Sequence, residues 1–524
     1  MMGKALLLLN LEIITMRNNL DCLFIHSDSA KRAYQSLSGK YSGIEPPTWS
    51  LLLAESCRAQ GFNVGILDCC AEQLTTDEAV KRINELKPRV SLFVVYGQNP
   101  NAGTTSMIGS RELAEAVYEA NLDTHISFVG SHISALPKEV LEIECVDSVL
   151  LNEGVYALWN LLRSNLSDEE LKKVNGIGWK DNSKTLIVNS PERIVPQERM
   201  DIDLPGYAWD LLPKIEKPFD LYRSHVWHAD FNESIRRPYA AIYTSLGCVY
   251  GCEFCMINIL NRTDNSENIS AADSRVMRFW SPEWVLRQFR ILREYGVSTI
   301  RISDEMFLLN HKYYVPICEK LIEEEFDLHM WAYSRIDTAR EKLLDLVRKA
   351  GVKWLALGIE AGSQMVRQEV SKGSFKDVNV RDICNMISNH DISIISNYIV
   401  GFPEDTYETM TSTLNLALEL NTEMMNVYPC QALPGSKLYT TAKQEGWDIP
   451  AKYEEFAFLS YECKPLPTKH LSNVDVLRFR DYFWETYFRN PAYLDKVELR
   501  FGLDQRLNVE EMAKHKLKRK ILEN

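Results

Sequence analysis

The residues best suited to chemistry in this 524-residue chain stand in one short stretch, Gly247-Cys248-Val249-Tyr250-Gly251-Cys252-Glu253-Phe254-Cys255. The spacing is C-x3-C-x2-C, which a chain with 12 cysteines would show by chance only about 0.006 times. Gly247 and Gly251 permit positive φ, so the loop can curl until three sulfurs converge. A structural zinc takes four ligands. Apart from the triplet, no Cys or His occurs between His228 and His311, so a local zinc site is incomplete. An iron–sulfur cube normally takes four thiolates. Three leave one iron open, and that iron can chelate the amino and carboxylate groups of S-adenosylmethionine. Electron transfer to the sulfonium would then cleave a C–S bond and yield a carbon radical. The other cysteines (22, 57, 69, 70, 145, 318, 384, 430 and 463) read as small buried hydrophobes rather than a disulfide framework.

A scaffold must hold that loop. It follows a strand pattern at 240–244, the first of a βα series whose further strands are read at 298–303, 329–334, 353–359, 393–400 and 424–428. Ser281-Pro282-Glu283 opens one of the intervening helices with a cap and a first-turn proline. Six βα units predict a partial (β/α)6 TIM-type barrel, with working residues at the strand carboxyl ends. Upstream, strand patterns at 5–9, 64–68, 90–96, 126–129 and 148–151 alternate with helical patterns at 48–60, 76–86, 106–120 and 155–162. Pro46-Pro47 suits the entry to the first helix and Gly61 its exit. The alternation predicts a doubly wound parallel sheet, Rossmann-like, that binds ligands beyond its carboxyl edge. At that edge fall Tyr96-Gly97-Gln98-Asn99-Pro100-Asn101, Gly130-Ser131-His132 and Asn152-Glu153-Gly154. They are small and polar, as close backbone approach to a large ligand requires and as ordinary βα loops also are.

The organisation read from these patterns is a domain at 1–175, a hairpin and connector at 176–238, the barrel at 239–448 and a helical region at 449–524. The hairpin turns at Asp181-Asn182-Ser183, and the connector is rich in Pro, Arg and aromatics. A helix is expected at about 472–488, and the basic stretch 514–520 reads as a solvated tail. With 45% apolar and 25% charged residues the chain is an ordinary globular one, which excludes disordered, collagenous and coiled-coil classes. A net charge of −13 argues against coating nucleic acid or an anionic membrane. No apolar run approaches a membrane span. Residues 5–9 have one preceding Lys and no small-residue cleavage site, which suits a buried strand better than a signal peptide. A cytoplasmic protein with no nucleic-acid or membrane partner is expected.

The cysteine loop resembles that of the radical S-adenosylmethionine superfamily. The likeness continues through Arg301-Ile302-Ser303-Asp304-Glu305-Met306-Phe307, Trp331-Ala332-Tyr333-Ser334-Arg335, Gly358-Ile359-Glu360-Ala361-Gly362-Ser363, Val400-Gly401-Phe402-Pro403-Glu404-Asp405-Thr406 and Leu433-Pro434-Gly435-Ser436-Lys437-Leu438-Tyr439. These resemble the family's segments after its second to sixth strands. The N-terminal half resembles the cobalamin-binding domain that precedes this barrel in one subfamily, although Leu151-Asn152-Glu153-Gly154 matches the usual Gly-Glu-Gly-Glu only in part. The D-x-H-x-x-G segment that supplies a lower cobalt ligand elsewhere is absent. Asp123-Thr124-His125 has Phe128, and Asp327-Leu328-His329 has Ala332, where the Gly would stand. The resemblance therefore implies cobalt without a histidine from this chain, and His132 reads as a loop-packing residue.

The same resemblance implies a 4Fe–4S cluster on Cys248, Cys252 and Cys255, with Phe254 beside the adenine. Asp304, Glu305, Arg335 and Glu360, and more weakly Ser363 and Asn397, would meet S-adenosylmethionine; internal salt bridges are the other reading of those charges. Tyr96, Gly97, Gln98, Asn99, Gly130, Ser131, His132, Glu153 and Gly154 would meet cobalamin. Cys430 is a weak candidate to donate hydrogen near substrate, against a plain buried thiol. His225, His228, Arg236 and Arg237 could cover an anionic substrate or lie on the surface. The implied reaction uses two molecules of S-adenosylmethionine, one to make methylcobalamin and one cleaved to a 5′-deoxyadenosyl radical. The outcome is C-methylation of a small polar metabolite, with electrons from a donor such as flavodoxin or ferredoxin and with the sheet edge facing the barrel mouth. Radical cyclisation, ring contraction or rearrangement without methyl transfer is the alternative, and a non-catalytic cobalamin carrier or sensor a third. A methylthiotransferase acting on tRNA would need a second Cys triplet and a basic RNA-binding domain, neither of which is read here.

Overall fold

The computed structural model describes residues 19–97, 99–236, 238–263, 270–371 and 379–523. The strand read at 5–9 and residues Gln98 and Arg237 lie outside them. The chain forms two compact units. The first comprises Met1–Ser29, Pro47–Pro213 and Ile259–Ile269, and the second Ala30–Pro46, Lys214–Asn258 and Ser270–Asn524.

In the first unit the strands are β1 (Cys22–His26), β2 (Val64–Asp68), β3 (Val90–Val95), β4 (His125–Gly130), β5 (Ser148–Leu150), β6 (Ile177–Lys180) and β7 (Leu186–Val188). They order as β2-β1-β3-β4-β5-β6-β7. The first five are parallel, and the hairpin β6–β7 adds two antiparallel strands beyond β5. β3 is buried at every position, as the middle of a sheet covered on both faces requires. Helices Thr48–Ala59, Thr76–Leu86, Gly103–Glu119 and Val155–Arg163 cover it. Thr76–Leu86 starts at a capping box in which Thr75 and Glu78 satisfy each other's backbone amides, and it buries Ala79 and Ile83. The sequence reading did not find β1. Its run Cys22-Leu23-Phe24-Ile25 is wholly buried, and it sits between β2 and β3. Of the connector, the part up to Pro213 belongs to this unit: Ser56 Oγ donates to the Asp203 carbonyl at 2.6 Å and Ala208 N to the Leu51 carbonyl at 3.2 Å.

The second unit carries β8 (Tyr239–Ile242), β9 (Ser245–Gly247), β10 (Met277–Phe279), β11 (Thr299–Ile302), β12 (His329–Arg335), β13 (Val352–Glu360), β14 (Ser393–Val400) and β15 (Met424–Pro429). Six form a parallel sheet in the order β15-β14-β13-β12-β11-β8, a partial barrel whose outer strands do not pair. Ser281 caps helix Pro282–Glu294 by accepting from Trp284 N. Helix Asn473–Phe488 opens at a Ser472–Asp475 capping box, and helices Pro491–Phe501 and Leu503–Met512 follow. The architecture is thus the one the sequence predicts: a doubly wound sheet, a partial parallel barrel and a helical C-terminal region.

Two expectations need correction. The basic stretch 514–520 is not solvated throughout. Arg519 is buried, donating to the carbonyls of Phe458 and Ser460 at 2.9 and 2.8 Å and to both oxygens of Asp481 at 2.9 Å. Of the connector residues before the barrel, His228 and Arg236 are buried rather than solvated, and His225 is half-buried. Arg236 is buried and donates to the carbonyls of Lys40, Ser42 and Ser224. His228 is fully buried beside His329, Trp227 and Tyr239, and burial drives its imidazole well below the usual range. His225 is pushed down to about 4 for the same reason. It lies 3.7 Å from Glu45, which pairs with the buried Arg301 of β11. Among the described residues no helix is long and apolar enough to cross a membrane.

Candidate active site

β8 ends at Ile242, and Thr244-Ser245 turn the chain into β9, which pairs antiparallel with β10 through Leu246 and Arg278. Gly247 then leaves β9 at φ +84°, which redirects the backbone into Cys248. Gly251 is not in the left-handed region; what it supplies is room, since a Cβ there would stand 3.3 Å from Arg275 Cδ and 3.4 Å from the Ala272 carbonyl oxygen. The three cysteines are half-buried free thiols.

The loop is held from several directions. Asn258, buried, accepts from Cys248 N at 2.9 Å and donates to the carbonyls of Cys248 and Tyr250 at 2.9 and 3.2 Å. Asp304, just beyond β11, accepts from Thr244 N, Thr244 Oγ1 and Ser245 Oγ, each at 2.6 Å. Arg335, the last residue of β12, lies over the Tyr250 ring at 3.8 Å and makes a two-point pair with Asp337. Lys437, after β15, pairs with Glu253 at 2.9 Å, while Leu438 N donates to the Glu253 carbonyl at 2.8 Å. The segments after three different strands therefore close on one loop.

Burial pushes the Cys248 thiol up to about 11 and the Cys252 thiol up to about 12, and Cys255 well above its ordinary value. Neighbouring carboxylates and the other thiols add to this. Three thiols held protonated chiefly by burial, with Arg335 opposing at Cys248 and Cys252, are a donor set that a cationic iron–sulfur core would deprotonate. Among the described residues no three such side chains are grouped as the ligands of a single metal ion; in a cubane each thiolate takes a different iron and stands farther from its fellows.

Glu360 closes β13 at a register shift and adopts φ +65°, unusual for a residue with a side chain. Burial pushes its carboxyl up to about 7, with Arg335 opposing. Two residues before it, Gly358 lies under the same side chain: a Cβ there would stand 2.7 Å from Glu360 Oε1. Glu305 is pushed up to about 8, again by burial. Both carboxyls act on the cysteine thiols, so both border the loop. Two carboxyls raised by burial beside a thiol loop can accept hydrogen bonds from the amino group of S-adenosylmethionine. Asp304 and Arg335 differ from them, since their polar groups are turned to the loop and to Asp337. Burial also lifts the Asp304 carboxyl, although the Ser245 and Thr244 bonds pull it down. Asn397 donates weakly to the Leu357 and Ile395 carbonyls and accepts from Asn426 at 3.0 Å. Ser363 is half-buried at the start of helix Gln364–Ser371, its carbonyl accepting from Arg367 N. Phe254 packs on Phe402 at 5.6 Å, against the apolar cluster that encloses Cys430. Cys430 is 1% exposed among Ala361, Val366, Phe402 and Leu466, a buried thiol in the cluster on which Phe254 packs.

In the first unit the loops after β3, β4 and β5 share the carboxyl edge. Tyr96 is buried and stacks on Trp49 at 5.1 Å. Gly97 is exposed at φ +64°, and Asn99 accepts from Asn101 N at 3.0 Å. Gly130 adopts φ +145°, where a Cβ would stand 1.9 Å from the Val95 carbonyl oxygen. Ser131 donates to the Pro100 carbonyl at 2.6 Å. His132 is 1% exposed, with Nδ1 3.0 Å from Thr104 Oγ1 and Nε2 3.4 Å from Glu139. Glu153 accepts from Val195 N, and Gly154 adopts φ +79° after Asn152 caps it. A backbone edge with a positive-φ glycine in each of three loops fits a large flat ligand, whereas the side chains of Ser131, His132 and Glu153 point to protein partners. Sequence reasoning missed Asn258 and Lys437. Lys437 lay inside a recognised segment without a role, and nothing local marks Asn258.

The Radical SAM superfamily profile matches residues 242–417, and the B12 binding domain profile matches 35–162. An uncharacterised methyltransferase of Pyrococcus horikoshii is 24% identical, spanning 86% of this chain and 89% of its own length. The anaerobic magnesium-protoporphyrin IX monomethyl ester cyclase of Rubrivivax gelatinosus is 25% identical over 90% of this chain and 78% of its own. The radical S-adenosylmethionine methyltransferase TsrM from Kitasatospora setae, solved with cobalamin and a 4Fe–4S cluster, shares the fold at a TM-score of 0.62 and 14% identity, covering 95% of this chain and 99% of that one.

Proposed function

We propose a reaction from the premise that this chain joins a B12 binding domain to a radical SAM domain and is a cobalamin-dependent radical SAM enzyme: C-methylation of an unactivated carbon in a small polar metabolite. Its cofactors are a 4Fe–4S cluster, S-adenosylmethionine and cobalamin. When bound, the first two supply a radical that takes hydrogen from carbon, and cobalamin supplies the methyl group. In this reading 1–175 holds cobalamin, 176–238 connects, 239–448 holds cluster and S-adenosylmethionine, and 449–524 completes the barrel unit.

Cys248, Cys252 and Cys255 hold the cluster. Asp304, Arg335, Asn258 and Lys437 fix the loop that presents them. Glu360 and Glu305 accept from the amino group of S-adenosylmethionine, with Phe254, Ser363 and Asn397 farther out. Tyr96, Gly97, Asn99, Gly130 and Gly154 form the backbone edge under cobalamin. The observation that carries the reading is the closure of Asp304, Arg335 and Lys437, at or after the ends of β11, β12 and β15, on one cysteine loop, with Glu360 half-buried at positive φ beside it. A polar substrate is supported by Tyr333, Asn397, Asn426 and Tyr428, half-buried on one face of the sheet. Electrons would come from a small donor such as flavodoxin or ferredoxin, in the cytoplasm.

The relative named a methyltransferase supports methyl transfer. The relative named a cyclase favours the second reading, oxidative ring closure with the same cofactors. The test is anaerobic turnover with a reductant. Methylation forms 5′-deoxyadenosine and S-adenosylhomocysteine in equal amounts, whereas 5′-deoxyadenosine alone overturns it in favour of the second reading.

A further inference from the structure

The segment that leaves the cysteine loop ends on a buried guanidinium. Ile257–Asn261 is one continuous 3-10 helix, and Arg262 extends it, its N–H donating to the Ile259 carbonyl at 3.3 Å. Asn258, the second residue of that helix, holds the loop through Cys248 and Tyr250. Ile259–Ile269 belongs to the first unit, and Ile259, Leu260, Asn261 and Arg262 are all buried. At about 2 Å per residue, Arg262 stands only about 8 Å along the helix from the residue that holds the cysteines.

Arg262 is 1% exposed, and its Nη1 donates to the Ser134 carbonyl at 2.5 Å. Ser134 belongs to Ser131–Ala135, a helix after β4 whose five residues are all buried. That helix ties together the loops of the carboxyl edge. Ser131 Oγ donates to the Pro100 carbonyl, after β3, at 2.6 Å. Ser134 Oγ donates to the carbonyl of Gly130, which ends β4, at 2.9 Å and reaches that of Asn152, after β5, at 3.3 Å. A charge taken out of water must keep its hydrogen bonds, so the buried guanidinium penalises any arrangement of the edge that draws Ser134 away from it. Hydrogen bonds continued through a rigid helical turn are the physical means by which one loop can bias another.

We infer that Arg262 is a positioning residue that couples the cobalamin edge to the cysteine loop, so that each cofactor favours the binding of the other. This rests on the reading that 1–175 holds cobalamin and that Cys248, Cys252 and Cys255 hold the cluster. Coupling of two binding events is reciprocal, so one affinity reports it. The affinity of the full chain for hydroxocobalamin is measured by anaerobic equilibrium dialysis, with cobalt counted on both sides, before and after reconstitution of the cluster. The wild-type chain should bind about tenfold tighter with the cluster in place. Arg262→Met keeps the apolar stem and removes the donors. It should take up the cluster, because Asn258, Asp304 and Lys437 still hold the loop, yet bind cobalamin equally well with and without it. A wild-type affinity that ignores the cluster overturns the inference and leaves the cobalamin reading standing. A cluster effect that persists in Arg262→Met means that the cofactors act on each other directly, and it overturns the inference too. So does an Arg262→Met chain that takes no cluster even with saturating cobalamin, since Arg262 would then hold the loop itself. A wild-type chain that binds no cobalamin in either form overturns both readings. Should Arg262→Met fail to fold, Ser134→Ala decides from the other end, by cutting the ties to Gly130 and Asn152. A cluster effect reduced toward onefold supports the inference there, and a wild-type effect overturns it.

Discussion

Asp304 offers the sharpest test of how the cysteine loop is held. Its carboxylate takes three donors from Thr244 and Ser245, all at 2.6 Å and all buried. Truncation to Ala leaves the Thr244 N–H with no acceptor and forces both hydroxyls to turn elsewhere. A buried donor left unpaired costs about 1–3 kcal/mol. Removing a carboxyl that burial already disfavours offsets part of the total. We expect a net loss of about 3 kcal/mol for Asp304→Ala and about 1 kcal/mol for Asp304→Asn, whose amide oxygen keeps one acceptor. A difference of about 3 kcal/mol is a factor on the order of 100 in the population of the ordered loop. The assay pairs the urea midpoint of the cluster-free chain, followed by tryptophan fluorescence, with iron retained per chain after anaerobic reconstitution and desalting. Asp304→Ala should lower the midpoint and lose most of its iron, and Asp304→Asn should fall between it and wild type. An Ala variant with wild-type midpoint and full iron content would refute the claim that this carboxylate holds the loop.

Four further outcomes follow from the same geometry. Cys252→Ala should abolish the brown iron–sulfur absorbance after reconstitution while far-ultraviolet circular dichroism is kept. Because burial pushes Glu360 up to about 7 and its ionised form is the better acceptor for the amino group, S-adenosylmethionine affinity should rise with pH up to that point and level off above it. Glu360→Gln should bind more weakly with no such pH dependence, as calorimetry at several pH values would show. Gly130→Ala puts a Cβ into the Val95 carbonyl at φ +145° and should cost about 3 kcal/mol or more, read as lost cobalamin retention and a lowered melting temperature. Arg519→Ala leaves the Phe458 and Ser460 carbonyls without that donor and Asp481 with Arg480 alone, and should destabilise by about 3 kcal/mol in urea unfolding.

The strands were legible because each is a short apolar run between turn residues. β2 and β14 end where the pattern ends. β1 was not, because Cys22-Leu23-Phe24-Ile25 and the run at 5–9 are local patterns of the same kind, and only pairing with β2 and β3 identifies a central strand. The same limit hid the site's supports. Asn258, Lys437 and the Glu45–Arg301 pair act across 10, 184 and 256 positions respectively, and no spacing rule spans such separations. Charge alone also could not tell Asp304 from Glu360. Both stand after barrel strands, yet one meets the Thr244-Ser245 turn and the other lies in a strained, positive-φ conformation beside the thiols.

The central claim is methyl transfer to carbon. Its most direct test is mass spectrometry of an anaerobic turnover containing the reconstituted chain, cobalamin, a reductant, S-adenosylmethionine with a deuterated methyl group and an extract of small polar metabolites. We predict a product heavier than its precursor by one labelled methyl group in place of a hydrogen, and absent with Cys252→Ala. Formation of 5′-deoxyadenosine with an altered product that carries no label would contradict the claim.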